Sequence, residues 1–306
     1  MTIPFATISL LGLLVLVAAP GCSDPPRHPR EKLQTTPSPQ VEATYTIALF
    51  ATMSPTTMVR NWQPICDHLA ATAKLGLTLR IFKRYRDIYD QVLSSDIHLV
   101  VGGTLLYLAM HDKAGFYPLV RRTFADQDTN RSILVVRKDS EVKTLLDLQG
   151  RTIAFTDRTS TSGYLYPALL FARAGITNLE TYFSHMVFTG NHESTLLAVL
   201  NREVEAAGLS NRVFARFPER NKKLRIIASS LEIPMGPIGC SRSVPPAHAE
   251  RLRQALLHLG TDGRMRYHLQ ALGIVGFAEP DEATYEAVRR DLDLLLSLGL
   301  QLEDFL

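Results

Sequence analysis

The sequence predicts an α/β protein of two lobes around a cleft, and three observations carry that reading. First, short apolar runs of strand character alternate with longer segments whose apolar residues recur at helical spacing; this alternation marks largely parallel sheets covered by helices. Second, residues 132–139 (SILVVRKD) and the Pro- and Gly-rich residues 234–241 (PMGPIGCS) have the character of two chain crossings between lobes. Third, residues 157–164 (DRTSTSGY) put four hydroxyl residues and a glycine where a strand hands over to a helix, the place where clefts of α/β sheets open.

Taken in order, strands are expected at 45–51, 77–82, 97–101, 133–137, 151–155, 185–188, 205–209 and 224–229. Helices fall between them. Met58, Trp62, Ile65 and Leu69 share one helix face, which makes Trp62 a core residue. Leu105, Leu108 and Ala109 repeat the pattern, as do Leu196, Val199 and Leu200. A short helix is expected at 144–148 and a longer one at 165–174, and the chain from about 246 onward reads as helical throughout, punctuated by Gly260, Gly273 and Pro280. Crossings at the two sites named above put 45–135 and 240–306 in one lobe and 136–239, with the hinge strands, in the other. Such an arrangement closes about a hinge.

The N-terminus is set apart. Residues 8–19 (ISLLGLLVLVAA) form one apolar run of signal-segment length, ending at Ala19-Pro20-Gly21-Cys22. That ending is similar to a bacterial lipobox, with Cys22 as the lipid attachment site, although Ala19 stands where Leu is commoner, Pro20 is unusual and no Lys or Arg precedes the run. An uncleaved anchor or ordinary secretion are the competing readings. Residues 23–44 hold five prolines and few apolar residues, the composition of an extended tether.

Composition excludes several classes. Of 306 residues, 46% are hydrophobic and 21% charged, which fits neither a disordered chain nor a polytopic membrane protein. A net charge of +3 with no Lys/Arg-rich run excludes a nucleic-acid partner. The nine histidines are scattered and no Cys/His spacing suits a metal, so neither metal nor cofactor is expected. Of the three cysteines, Cys66 and Cys240 either pair or remain buried thiols.

Residues 157–164 support two readings. Ser160, Thr161 and Ser162 cap the helix that follows, accepting from its free N–H groups. Alternatively, the same N–H groups and hydroxyls face an anion, with Gly163 letting it approach the backbone.

Five motifs in one order favour the second reading. They are Ser54-Pro55 with Trp62 and Pro64; Lys138-Asp139-Ser140 leading to Leu148 and Gly150; Ser160-Thr161-Ser162-Gly163 followed by Tyr164-Leu165-Tyr166-Pro167; Gly190-Asn191-His192-Glu193; and Glu203-Val204-Glu205-Ala206-Ala207. With these the chain resembles the substrate-binding proteins of phosphate/phosphite/phosphonate ABC importers, over nearly all of its mature length. The resemblance implies a two-lobed periplasmic-binding-protein fold of type II character and a non-enzymatic monomer. Such a protein captures a small phosphorus oxyanion at the membrane surface and hands it to an ABC permease. It also implies ligand contacts from Ser160, Thr161, Ser162, His192 and the first-lobe Tyr85.

The sequence departs from the family twice. Glu205 stands where an Asp near the ligand's substituent is usual, and Val101 where an aromatic precedes Gly102-Gly103, with Tyr107 as a nearby substitute. A carboxylate at Glu205 would favour ligands bearing a proton or an amino group. Arg158 reads as a solvated surface residue rather than an anion contact. Two further hypotheses stand beside transport. One is a sensor or partner-binding lipoprotein of the same fold. The other is a hydrolase using Ser162, His192 and Glu205, which lacks the G-x-S-x-G elbow and the matching chain order.

Overall fold

The computed structural model describes residues 41–299 apart from Ser95 and residues 125–128. The expected signal segment, Cys22 and all but residues 41–44 of the expected tether lie outside the described residues, among which no helix is long and apolar enough to cross a membrane.

The chain opens with β1 (Thr44–Phe50), α1 (Pro55–Ala73), β2 (Gly76–Phe82), α2 (Tyr85–Leu93), β3 (Leu99–Val101), α3 (Thr104–Ala114) and β4 (Tyr117–Phe124). It crosses through β5 (Thr129–Asn130) and continues as β6 (Ser132–Arg137), β7 (Thr152–Phe155), α4 (Tyr166–Arg173), α5 (Leu179–Tyr182), β8 (His185–Phe188), α6 (His192–Leu200), β9 (Ala206–Ser210), α7 (Asn211–Arg216), α8 (Arg220–Lys223) and β10 (Leu224–Ser229). It returns through β11 (Ile233–Pro234) to β12 (Ile238–Cys240), α9 (Pro246–Leu259), α10 (Arg266–Ala271), β13 (Ile274–Ala278) and α11 (Glu282–Ser297).

Two sheets result. One has the order β13-β4-β12-β3-β1-β2 and the other β10-β6-β9-β7-β8, while β5 and β11 pair only with each other. In the first sheet β1 is parallel to β2 and β3, and the returning β12 enters antiparallel between β3 and β4. In the second, β7 is parallel to β8 and β9, with β6 antiparallel beside β9. Parallel strands joined through helices put their carboxyl ends on one side of each sheet, and those ends face the cleft. The mixed α/β, two-lobed fold is the one expected from the sequence, and all eight expected strands are present with ends shifted by no more than two residues.

Four details differ from the sequence reading. The first crossing is β5, not the middle of 132–139: β6 is buried at Ile133, Leu134, Val135 and Val136 and pairs on both edges within the second sheet. Residues 131–135 therefore join the second lobe, and β12 already belongs to the first sheet, before residue 240. The segment after 246 is not helical throughout, because Gly273 at φ 73° stops α10 and launches β13 onto β4. Strand β4 is absent from the expected strands because Pro118, Arg121 and Arg122 break its apolar run. Finally, α11 does not lie within one lobe. Its Tyr285, Val288 and Leu295 share an apolar cluster with Leu134 and Phe155 of the second sheet, and Asp291 accepts from the Tyr166 hydroxyl at 2.7 Å.

The expected helix at 144–148 is a single 3₁₀ turn at Leu146–Leu148. Trp62 is buried in the first-lobe core with Cys66 and Cys240. Both cysteines are free thiols, and burial pushes Cys66 up to about 12 and Cys240 to about 11.

Candidate functional site

The cleft between the lobes is lined from the first lobe by Tyr85, Gly102, Gly103 and Arg122, from the second by Ser160, Thr161, Ser162, His192 and Ser210, and from the crossings by Asn130 and Met235.

The hydroxyl-rich stretch is built locally. Asp157 Oδ1 accepts from the Thr159 N–H at 2.8 Å, and Ser160 Oγ accepts from the Gly163 N–H at 3.0 Å. Residues Thr161–Leu165 then make one π-helical turn before α4 begins, a wide turn often found at functional sites. Ser160, Thr161 and Ser162 are all buried polar residues on the cleft wall. Capping and cleft lining are thus both real: Ser160 does the capping, and its two neighbours are not needed for it.

Gly163 corrects the sequence reading. It does not line the cleft, and a Cβ there would sit 2.3 Å from Thr156 Oγ1 and 2.7 Å from Ser160 Oγ. Glycine is required by packing within the turn, not by an approaching ligand.

Thr161 joins the lobes: its Oγ1 accepts from the Leu105 N–H, in the first turn of α3, at 2.9 Å. Tyr85, at the start of α2, stacks on Phe50 with ring centroids 3.6 Å apart and shares the cleft wall with Ser160 and Thr161. Burial, reinforced by the charge of Asp157, pushes the Tyr85 phenol far up, so it remains an O–H donor.

His192 begins α6 and is buried. A backbone amide can only donate, and the Ser210 N–H lies 3.3 Å from His192 Nδ1. Nδ1 is therefore the acceptor, with Thr156 Oγ1 also at 3.0 Å, and the ring proton resides on Nε2. Burial lowers the imidazole to about 4, so at neutral pH it is an uncharged donor. A histidine titrates near 6.5 when unfolded. Its folded value is depressed, so the stability it gives is complete above about pH 6.5 and falls as pH drops towards 4. Between pH 7 and 4.5 wild type should lose about 2 kcal/mol more than His192→Gln in urea unfolding; equal losses would show that His192 is not the group responsible.

Glu205 is the second correction. It precedes β9, five residues before the cleft-lining Ser210, at the opposite end of the strand. Its carboxylate accepts from Ser140 Oγ and, at 3.4 Å, from Arg137 Nη2. The motif containing Glu205 lies at the entry of the strand, and only the exit reaches the cleft. Glu205→Gln should cost about 1 kcal/mol of stability while leaving ligand affinity within about twofold; a larger affinity loss in titration would return Glu205 to the site. The same placement leaves Ser162 and His192 without the orienting carboxylate that the hydrolase hypothesis needs.

Val101 lines the cleft as expected, but Tyr107 does not replace the missing aromatic, since it packs on Tyr285 at 5.1 Å in the adjoining core. Arg158 stays off the cleft, over the Phe188 ring at 4.6 Å. Sequence reasoning missed Arg122, Ser210, Arg212 and Arg216, all on the cleft wall. Ser210 had a usable signal as the last residue of a strand. Arg122 had none, because its strand has no unbroken apolar run. Its Nη2 donates to Gly102 O at 2.9 Å and to Gly236 O at 3.0 Å, and burial lowers it to about 10, still charged at neutral pH.

Two α/β lobes joined by a pair of antiparallel crossing strands, with neutral donors gathered at strand and helix ends between them, define a solute-binding protein of type II architecture. The chain belongs to the ABC transporter phosphonate periplasmic substrate-binding protein family, whose model matches residues 47–285. It is 23% identical over 208 residues to the phosphate-import protein PhnD of Mycolicibacterium smegmatis; the match covers 65% of this chain and 63% of that relative's length. The binding-protein component of an ABC phosphonate transporter from Pseudomonas aeruginosa has the same fold, with a TM-score of 0.78 at 20% identity over 84% of this chain and 88% of its own. PhnD1 from Prochlorococcus marinus, solved with methylphosphonate, superposes with a TM-score of 0.73 at 17% identity, covering 82% of this chain and 98% of that one.

Proposed function

We propose that the protein captures a small phosphorus oxyanion (phosphonate, phosphite or phosphate) outside the cytoplasm by closing its lobes, and delivers it to an ABC permease. In this reading it works as a monomer held at the membrane through lipid on Cys22. The carrying observation is His192, whose position between Thr156 and the Ser210 amide makes it a neutral Nε2–H donor beside Ser160, Thr161, Ser162 and Tyr85. A compact anion loses its hydration on entering such a cleft and needs many preset donors. Neutral O–H and N–H groups supply them, and the Arg122 guanidinium adds charge from the first lobe. A contact that spans the cleft, such as that of Thr161 with the Leu105 amide, is the kind that forms only on closure and so can be biased by a ligand.

The test is calorimetric titration with phosphate, phosphite and methylphosphonate, with sulfate as control. Binding of one phosphorus oxyanion is expected, weakened about tenfold or more in Ser162→Val, since a hydrogen bond to a charged group contributes about 1.5–3 kcal/mol. Absence of binding at millimolar ligand would overturn the reading.

A further inference from the structure

A line of directed hydrogen bonds runs along the cleft wall from His192 to the return crossing. It begins at His192 Nδ1, which accepts from the Ser210 N–H at 3.3 Å. Ser210 Oγ accepts from the Arg212 N–H at 3.2 Å and gives its own proton to Asn130 Oδ1, also at 3.2 Å. Asn130 stands on the first crossing, in register with Ile233 of the return crossing. A carbonyl can only accept, so Ile233 O, at 3.3 Å, orients the Asn130 amide with Nδ2 facing it and Oδ1 facing Ser210. Nδ2 also meets Met235 Sδ at 3.3 Å.

His192, Ser210 and Asn130 are each only 6% exposed, and all three line the cleft together with Met235. The two ends of the line are fastened to different lobes. At one end Thr156, whose Oγ1 also reaches Nδ1, donates its amide to Gly163 O at 3.2 Å, in the hydroxyl-rich turn. At the other, Met235 precedes Gly236, whose carbonyl Arg122 ties to Gly102 O of the first lobe. Pairing with Ser132 seats Ser210 in the second sheet, and the Asn130 side chain joins it to the return crossing. A swing of that crossing therefore acts on the Asn130 amide, and through it on Ser210.

We propose that Asn130 is a positioning residue for oxyanion capture, coupling the His192 donor to the hinge without itself touching the ligand. This rests on the capture reading above. Closure seats Ile233 and Met235 against the Asn130 amide. Asn130 then holds the Ser210 hydroxyl, and the Ser210 amide keeps Nδ1 occupied, so the His192 proton stays on Nε2 for the anion. Buried hydrogen bonds connected in this way polarise one another and act as a unit.

The experiment is a double-mutant cycle of Asn130→Ala and Ser210→Ala, titrated with methylphosphonate and phosphate. It is read together with the ring-nitrogen NMR resonances of His192 in the ligand-free proteins. Each single variant should weaken the anion that wild type binds by about fivefold, the scale of one buried hydrogen bond. The double variant should lie within about twofold of the weaker single, because members of one network do not add. In both single variants His192 should lose its preference for the Nε2–H tautomer. Ser210→Ala removes only a hydroxyl and leaves the amide, so it carries the test even where Asn130→Ala fails to fold. Glu205→Gln, which lies outside the line, should leave the tautomer as in wild type. Additive losses of about 25-fold in the double variant, an unchanged affinity in Ser210→Ala, or a tautomer unaltered in both singles would each overturn the proposal while leaving capture intact. Wild type binding neither anion would overturn the capture reading, and the ligand-free tautomer would still decide whether Asn130 positions His192.

Discussion

Gly163→Ala is expected to destabilise the protein by about 3 kcal/mol or more and to abolish oxyanion binding, because overpacking of a rigid core site combines with loss of a buried hydrogen bond. The new Cβ would lie 2.3 Å from Thr156 Oγ1 and 2.4 Å from Thr156 Cβ. Thr156 cannot rotate away cheaply. It is fully buried, β-branched, and bonded through Oγ1 to His192 Nδ1 at 3.0 Å. Relief therefore requires either moving the turn that carries Ser160, Thr161 and Ser162 or breaking the contact that orients His192. Urea unfolding measures the first consequence and titration the second. A loss below about 1 kcal/mol with binding intact would show that the turn has slack the packing does not reveal.

Gly236→Ala should act the other way round, with a large effect on affinity and a smaller one on stability. Gly236 lies on the return crossing, where a Cβ would meet Gly102 O at 2.6 Å and Gly103 C at 2.6 Å. Both are backbone atoms at the start of α3, and Arg122 holds the two segments together through Gly102 O and Gly236 O. The crossing must then separate from the α3 entry, which carries the Leu105 amide that meets Thr161. A drop in affinity of about a hundredfold is expected, with about 1–3 kcal/mol lost in unfolding. Affinity within about twofold of wild type would show that the cleft assembles without this close approach.

Much of the fold was legible because β-strands and helices bury different periodicities. The runs at 44–50, 152–155 and 224–229 are apolar enough to announce themselves, and Met58, Trp62, Ile65 and Leu69 mark the buried face of α1. What escaped were strands whose stability comes from their neighbours. Strand β4 carries Pro118 and two arginines and exists because β12 and β13 pair on either side of it. Strand β13 follows helical sequence and is placed by a left-handed glycine. The lobe boundary moved for the same reason, since pairing on both edges of β6 assigns it to the second sheet.

At the site, the sequence by itself carried the hydroxyl-rich turn at a strand–helix junction and the likeness to the family. Ser160 to Ser162 and His192 sit at the junctions of strand and helix, where chain order alone puts backbone donors and polar side chains together. Tertiary structure decided which of the remaining candidates reach that point. It turned Gly163 inward against Thr156, left Glu205 at the wrong end of β9, and fixed the proton of His192 on Nε2 through an amide 18 residues away. It also brought Arg122 and Arg216 to the cleft from segments whose local pattern gave no sign of it. The physical reason is that the charge and shape of a cleft between lobes are sums over residues distant in the chain, and only the crossing geometry determines which of them face one another.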